Sequence, residues 1–272
     1  MNNLSNDGRQ FVSFSGICPF NCNHCYTFCE GYTTDVEDIS VERIISGIKG
    51  NNFDIVYVSG HRENFIDHIE GIRLCEELYS NFHTDIMLTT RCVFNSLELR
   101  RLHNLNVQMR KNGQFLFFCA SIPALKSYKK LEPSLLIPSP EERISCLKEV
   151  FDAGIFTVLT VRPLCPDNYI PIDEPLEIIK RCKDFSSGVI SSGIVVDETI
   201  LNRLPDFPSD FSYTEEPLMP CLNNEDISVK YVNVNTELSI LQAYCNTQNL
   251  PFYSHSLPLI KFLKESSKKH HW

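Results

Sequence analysis

The chain has 272 residues, of which 43% are hydrophobic and 22% charged, and its net charge is −9. This is an ordinary globular composition, which excludes collagen-like, coiled-coil and disordered chains. The length is enough for one sizeable core, and the acidic charge weighs against an extended nucleic-acid-binding surface. No apolar run approaches the roughly 18 residues of a membrane helix, and the polar N-terminus lacks the apolar core of a signal peptide. We therefore expect a cytoplasmic protein, in which clustered cysteines indicate metal or redox roles.

Short apolar runs alternate with helix-like stretches along most of the chain. The runs are rich in Val, Ile, Phe and Thr, and several are apolar on both alternations, which is typical of strands buried on both faces of a parallel sheet. The predicted strands are residues 11–15, 53–59, 85–90, 115–120, 156–161 and 188–196. Six βα units in succession predict right-handed crossovers and either a doubly wound sheet or a barrel, full or partial.

The stretches between these runs carry helix-start and helix-stop signals. Ser40 is placed as the N-cap of one helix. The clearest start is Ser139, followed by Pro140 at the first helical position and by Glu142 at the third, which together predict a capping box. That helix runs towards Gly154, a natural residue to end it.

The composition and the pattern of predicted elements change after residue 204. Prolines at 205, 208, 217 and 220 mark a connector, and a smaller strand–helix–strand–helix pattern follows at 227–234, 237–245, 252–255 and 257–263. We predict a main body over residues 1–204 and a small C-terminal α/β extension, residues 205–272, packed on it.

The most informative segment is a loop that follows the first predicted strand. Cys18, Cys22 and Cys25 stand there at the spacing C-x3-C-x2-C. Thiolates this close can share one metal centre, and soft sulfur ligands suit zinc or an iron–sulfur cluster. Zinc sites usually use two C-x2-C knuckles or a more distant Cys/His pair, whereas no second knuckle follows this loop. Three protein ligands on a four-iron cluster leave one iron open to an added ligand.

Two other interpretations of the cysteine loop stay open. His24 or Cys29 could complete a structural zinc site. Alternatively, Cys29 could close the iron–sulfur cluster and give an electron-transfer module, since C-x3-C-x2-C-x3-C is close to ferredoxin-like runs.

The cysteine spacing, its position after a strand and the aromatic Tyr26 resemble the radical S-adenosylmethionine (SAM) superfamily. The resemblance implies that Cys18, Cys22 and Cys25 hold a 4Fe–4S cluster, whose open iron chelates the amino and carboxylate groups of SAM, and that Tyr26 lies beside the adenine. It also implies a partial (β/α)6 TIM-like barrel of radical SAM type, and an external one-electron reductase of the flavodoxin or ferredoxin type. The reduced cluster would cleave SAM to a 5′-deoxyadenosyl radical that abstracts hydrogen from a substrate.

A narrower resemblance covers residues 121–166 and points to the spore photoproduct lyase-like branch. The matching text comprises Ser121-Ile122-Pro123, Leu131-Glu132-Pro133, Ser139-Pro140-Glu141-Glu142-Arg143, Ala153-Gly154-Ile155 and Arg162-Pro163-Leu164-Cys165-Pro166. Its named lyase repairs a thymine dimer in DNA, but many relatives have unknown substrates. Membership of the branch therefore does not establish a DNA substrate.

Ligands of barrels and doubly wound sheets bind at the carboxyl ends of the strands, where polar residues gather in this sequence. In radical SAM proteins a Gly-Gly-Glu segment after the second strand binds the SAM amino group. The corresponding stretch here contains Ser59, Gly60 and Glu63, with the first Gly replaced and the Glu displaced. Ser121, after the fourth predicted strand, matches a position that commonly meets the ribose or carboxylate.

Two arginines and two cysteines complete the candidate residues. Arg91 or Arg162, at the ends of the third and fifth predicted strands, could neutralise the SAM carboxylate, because a guanidinium binds a carboxylate through two parallel hydrogen bonds. Cys119 and Cys165 lie at predicted strand ends and are candidate hydrogen-atom donors, although a buried structural role is the alternative for each.

We expect a radical SAM enzyme acting on a small molecule or peptide. The alternatives are a spore photoproduct lyase-like enzyme acting on a nucleic acid or nucleotide, and a non-catalytic zinc or closed iron–sulfur module. The lysines at 126, 129 and 130 follow the fourth predicted strand and could reach a phosphate-bearing substrate.

Overall fold

The computed structural model describes residues 3–5, 7–33, 40–58, 61–219 and 227–270. Its α-helices are α1 (Val41–Ile48), α2 (His68–Phe82), α3 (Ser96–Lys111), α4 (Tyr128–Leu131), α5 (Pro140–Asp152), α6 (Asp173–Cys182), α7 (Glu198–Arg203), α8 (Asn235–Thr247) and α9 (Ser256–His270). The strands are β1 (Asn3–Leu4), β2 (Arg9–Val12), β3 (Ile55–Val58), β4 (Asp85–Thr90), β5 (Leu116–Ser121), β6 (Phe156–Leu164), β7 (Gly188–Gly193), β8 (Val195–Val196), β9 (Tyr213–Pro217), β10 (Ser228–Val232) and β11 (Phe252–Tyr253). None of the described helices is both long and apolar enough to span a bilayer.

The main sheet has the order β1-β2-β3-β4-β5-β6-β7-β11. The strands from β2 onward are parallel, and only β1 runs antiparallel to its neighbour. From β2 to β7 the spatial order equals the chain order, so right-handed crossovers place the connecting helices on one face. The sheet does not close on itself, which excludes a full barrel, and the order of the described strands from β2 to β7 never reverses, which excludes a doubly wound sheet. It is the predicted partial barrel.

The two faces of this sheet are covered differently. On β3, Val56 and Val58 pack into the core beneath the crossover helices, whereas Ile55 and Tyr57 point to the opposite, inner face. That inner face packs against side chains of α9, namely Leu259, Ile260 and Leu263. The last long helix therefore fills the concave side of the open barrel.

The C-terminal segment differs from the sequence prediction in how it joins the body. Its strand β11 pairs in parallel with β7 and gives the sheet a seventh parallel strand, where the sequence predicted six. A second, antiparallel sheet of order β8-β10-β9 likewise joins residues on both sides of position 204. The division into 1–204 and 205–272 stays a prediction.

Local signals predicted several elements well. Strand β4 has its predicted bounds, and Ser40 caps α1. Ser139 and Glu142 form the predicted capping box of α5, with Pro140 at its start. The proline-marked connector contains a strand that the sequence analysis missed, β9, which lies at the edge of the small sheet where proline is tolerated.

Candidate metal centre and strand-end site

The cysteine loop rises from the carboxyl end of β2 and is anchored from two sides. Arg203, the last residue of α7, donates to Asn21 Oδ1 at 2.8 Å, and its guanidinium lies 3.8 Å from the centre of the Phe28 ring. On the other side, Asn23 donates its backbone N–H to Leu131 O at 2.8 Å and its side-chain amide to Lys130 O at 2.9 Å. These contacts hold the loop against the strand ends.

The three predicted ligands lie on this loop, with Cys22 buried and Cys18 and Cys25 partly exposed. The chemistry of this donor set, three soft sulfur ligands on one short loop, fits an iron–sulfur cluster.

Burial disfavours ionisation of two thiols of this loop, those of Cys18 and Cys22. Burial raises the pKa of Cys18 and raises that of Cys22 to about 12, the latter against the opposing effect of the Arg91 guanidinium. A metal deprotonates a coordinating thiol outright. Cys29 is buried too, and burial, with the charges of Asp197 and Cys25, raises its pKa to about 12.

A buried ion-pair triad lies directly behind Cys22. Glu132 is 0% exposed and accepts from Arg91 Nε at 2.5 Å and from Arg143 Nη2 at 2.6 Å. His24 completes the group, because its Nδ1 donates to Leu131 O and its Nε2 accepts from Arg91, both at 3.2 Å.

The triad carries one more positive than negative charge, and this decides what it can bind. Cys22 Sγ, a His24 ring nitrogen and a Glu132 oxygen lie within 4.8 Å of one another, a spacing that three ligands of one cation could have. The two guanidinium groups on the same carboxylate oppose such a cation electrostatically. At Cys22 the Arg91 guanidinium favours the thiolate and the Glu132 carboxylate opposes it, while burial keeps the pKa of the thiol raised.

The sequence analysis quoted Glu132 and Arg143 only as matching text and did not predict this contact. The available signal was Arg143, a charged residue on the otherwise apolar buried face of α5, where Ile144 and Leu147 also point inward. A buried arginine requires a carboxylate partner or a backbone acceptor. Arg143 has both, since its Nη1 also donates to Ser121 O at 2.5 Å.

Of the three candidate SAM-binding residues after β3, the structure describes one, Glu63. Ser59 and Gly60 lie outside the described residues. Glu63 is buried, and burial raises its pKa, although its carboxylate accepts from Thr90 Oγ1 and from Arg91 N, both at 2.9 Å. In this arrangement Glu63 fastens the loop after β3 to the end of β4.

Tyr26 lies in an aromatic group beside the cysteine loop. Its ring meets Tyr32 edge-on at 5.7 Å and His61 at 6.4 Å, and the Tyr32 hydroxyl is hydrogen-bonded to His61 Nδ1. Burial lowers the pKa of His61 to about 4, so its ring is neutral at pH 7. Such a group offers apolar ring faces and edges to a flat heterocycle.

The other candidates lie on β5 and β6 or just beyond them. Ser121 and Cys119 are buried on β5, and Cys119 Sγ lies 2.6 Å from Thr160 Oγ1. Cys119 belongs to the inner-face core, whereas Cys165 packs in the core beneath the crossover helices. Arg162 Nη2 donates to Ser254 O in the turn between β11 and α9. The structure thus brings Cys119 and Arg162 to the inner side and places Cys165 on the other.

Two of the three lysines after β5, Lys129 and Lys130, have local contacts. Lys129 donates to Ser134 O at 3.2 Å, and Lys130 donates to Tyr169 O at 3.0 Å. Each ammonium also lies 4.8 Å from an aromatic ring centre, that of Tyr128 for Lys129 and that of Tyr169 for Lys130. These contacts stabilise the segment that anchors the cysteine loop.

Comparison by sequence finds no matching family model and no matching curated protein. Comparison of structures finds spore photoproduct lyase with bound AdoMet and dinucleoside spore photoproduct, at a TM-score of 0.64 and 14% identity, over 90% of this chain and 75% of that one. It also finds SuiB of Streptococcus suis bound to S-adenosylmethionine, at a TM-score of 0.59 and 12% identity, over 94% of this chain and about half (52%) of that one. A further structure of SuiB is bound to the precursor peptide SuiA. Both proteins are radical SAM enzymes, and these likenesses show which fold this chain has.

Proposed function

We propose, from the premise that the chain has the radical SAM fold, that it is a radical SAM enzyme whose Cys18, Cys22 and Cys25 hold a 4Fe–4S cluster. The observation that carries the proposal is the placement of three thiols on one loop at the carboxyl edge of the parallel strands, in a fold shared with radical SAM enzymes. When bound, the cluster and SAM supply reductive cleavage to a 5′-deoxyadenosyl radical, which abstracts hydrogen from the substrate.

We assign the cluster three protein ligands, the number that the resemblance to radical SAM enzymes implies. Burial raises the pKa of both Cys22 and Cys29 to about 12, so the pKa values of the two thiols do not separate them as ligands. The Arg91 guanidinium acts against that burial at Cys22.

The residues proposed to bind SAM differ in whether their polar groups already have partners within the protein. Tyr26 offers its ring to the adenine, and Ser59, Gly60 and Ser121 remain proposed polar contacts. Glu63 and Arg91 act by positioning, because their charged groups already bind Thr90 and Glu132. Cys119 is the proposed hydrogen-atom donor, since it lies on the inner face, and the position of Cys165 disfavours it for that role.

The proposed substrate is a small molecule or peptide, and the proposed partner is a one-electron reductase of the flavodoxin or ferredoxin type. The similarity to SuiB, a structure of which holds its precursor peptide, supports the peptide class. A nucleic-acid or nucleotide substrate is the second candidate, favoured by the similarity to spore photoproduct lyase over 90–93% of this chain. Binding that weakens steeply with added salt would favour the second candidate.

The test is to reconstitute the protein anaerobically with iron and sulfide and to count iron per chain. We expect Cys18→Ala, Cys22→Ala and Cys25→Ala each to lose the cluster, and the matched Cys29→Ala variant to keep four irons. Release of 5′-deoxyadenosine from SAM by the reduced wild type then establishes the chemistry. Loss of the metal in Cys29→Ala, or a single zinc in the wild type, would overturn the proposal.

A further inference from the structure

The inner face of the sheet carries a guanidinium group that faces no carboxylate among the described residues. Arg162 follows Val158 and Thr160 in alternation on β6, and Val158 belongs to the inner-face core. Its Nη2 donates to Ser254 O, while its Nε is buried and has no hydrogen-bond partner. A charge withdrawn from water without a counter-ion is costly, so a buried arginine is usually ion-paired. Arg162 is partly buried and has no such partner among the described residues.

The neighbours of Arg162 leave its charge unbalanced. Burial lowers its pKa to about 10; the Cys119 and Tyr57 side chains act in the opposite direction, and the Arg9 guanidinium adds to the lowering. Arg9 is itself paired with Asp7, through contacts of 2.7 and 2.8 Å. The inner face at this level therefore has a surplus positive charge, which attracts an anion.

Helix α9 bounds the space around Arg162 on one side. Helix α9 covers the inner face below it with Leu259, Ile260 and Leu263. Tyr57 donates to Ser256 Oγ at 2.9 Å and so fixes the start of α9 to β3. A ligand on Arg162 must therefore extend towards the carboxyl ends of the strands, the edge from which the cysteine loop rises.

We propose that Arg162 binds a carboxylate or phosphate group of the substrate at the mouth of the partial barrel. This inference rests on the proposed function and narrows its substrate to one that carries an anionic group. A guanidinium can donate two parallel hydrogen bonds to either group, which fixes orientation as well as position. An anion held on β6 leaves the rest of the substrate to reach across towards the loop after β2.

The position of Arg162 favours the substrate over SAM as the source of the anion. The proposed function places the SAM carboxylate on the open iron, within the cysteine loop. Three strands separate β2 from β6, so Arg162 and the cysteine loop lie on different parts of the rim rather than on neighbouring strands. Arg91, the arginine beside Cys22, already has Glu132 as its partner.

The first experiment measures binding of inorganic phosphate and of acetate to the reconstituted protein by calorimetry. We expect saturable binding of one anion per chain and at least a tenfold loss of affinity in Arg162→Met. Arg101→Met is the matched control, because Arg101 lies on α3 and pairs with Glu76 at 2.7 Å. It should bind the anions like the wild type. No saturable binding to the wild type, or unchanged binding in Arg162→Met, would overturn the proposal.

A second variant separates binding from structural damage. Arg162→Lys keeps the positive charge and a donor for Ser254 O but loses the planar fork, so acetate affinity should fall more than phosphate affinity. An equal affinity of wild type and Arg162→Lys for both anions would contradict the assigned geometry.

Addition of SAM identifies the source of the anion. If SAM changes the electron paramagnetic resonance (EPR) spectrum of the reduced cluster equally in wild type and Arg162→Met, the site belongs to the substrate. If Arg162→Met loses that response and SAM displaces phosphate from the wild type, the anion is the SAM carboxylate and the proposal is wrong. Anion binding without any SAM-responsive cluster would leave this site standing while the proposed radical SAM function falls.

Discussion

Glu132 is fully buried, and its carboxylate is shared by the guanidinium groups of Arg91 and Arg143. Burial alone would raise its pKa, but the two arginines, Arg143 foremost, hold it at about 2. Because this folded-state pKa lies below the usual 4.5, the carboxylate stabilises the fold above about pH 4.5. That contribution is lost as the pH falls from there towards about 2.

We therefore expect Glu132→Gln to lower the free energy of unfolding by about 3–5 kcal/mol at pH 7, because it leaves two buried guanidinium groups without a counter-charge. Urea unfolding of the metal-free chain measures this, and the gap between variant and wild type should narrow below pH 4.5. Glu141→Gln is the control: its exposed pair with Arg181 contributes about 0–1 kcal/mol. Similar losses in both variants would refute this role of Glu132.

At the scale of residues, the sequence predicted a site whose residues are close in the chain and missed a contact between distant segments. Cys18, Cys22 and Cys25 are close in the chain, so their spacing alone indicates a shared centre. The contact of Glu132 with Arg91 joins segments 41 residues apart and depends on how the loop after β4 packs. No periodicity or spacing reports such a contact before the fold is known.

At the scale of elements, α9 and β7 pack more closely than an ordinary side chain would allow. A Cβ added at Gly188 on β7 would lie 2.6 Å from a methyl carbon of Leu259 and 3.2 Å from Pro251 O. Leu259 is fully buried in the inner-face core. The absence of a side chain at Gly188 thus lets α9 approach the sheet.

We expect Gly188→Ala to destabilise the protein by about 1–3 kcal/mol through overpacking, and Leu259→Ala by about 2–5 kcal/mol through the cavity it leaves. Combined, the two substitutions should cost less than their sum, because the second removes the atoms that the first would strike. Thermal or urea unfolding of the four proteins in the cycle gives the coupling energy. Strict additivity would show that α9 does not pack on β7 in this way.

Helix α9 shows that the sequence can predict the existence of an element without predicting its place in the fold. Its existence was predicted near 257–263 from apolar residues, but not its place on the inner face. Strand β11 is only two residues long, and its pairing with β7 depends on the crossover through α8. Short strands that are fixed by distant partners carry little signal of their own.

At the scale of the molecule, the order of βα units predicted a parallel sheet, and the chain-ordered strands make it an open barrel with helices on one face. One strand, β2, directly precedes the cysteine loop, so the candidate metal centre lies at the ligand-binding edge that such folds share. We propose that side chains around that edge, Arg162 among them, select the substrate, and the fold alone does not identify it.

The most direct test of the central claim is the EPR spectrum of the reduced, reconstituted cluster, recorded with and without SAM. An open iron on a three-cysteine cluster predicts a 4Fe–4S signal that changes when SAM is added. The Cys29→Ala variant should show the same change. A cluster signal indifferent to SAM, or a protein that takes up zinc alone, would contradict the account.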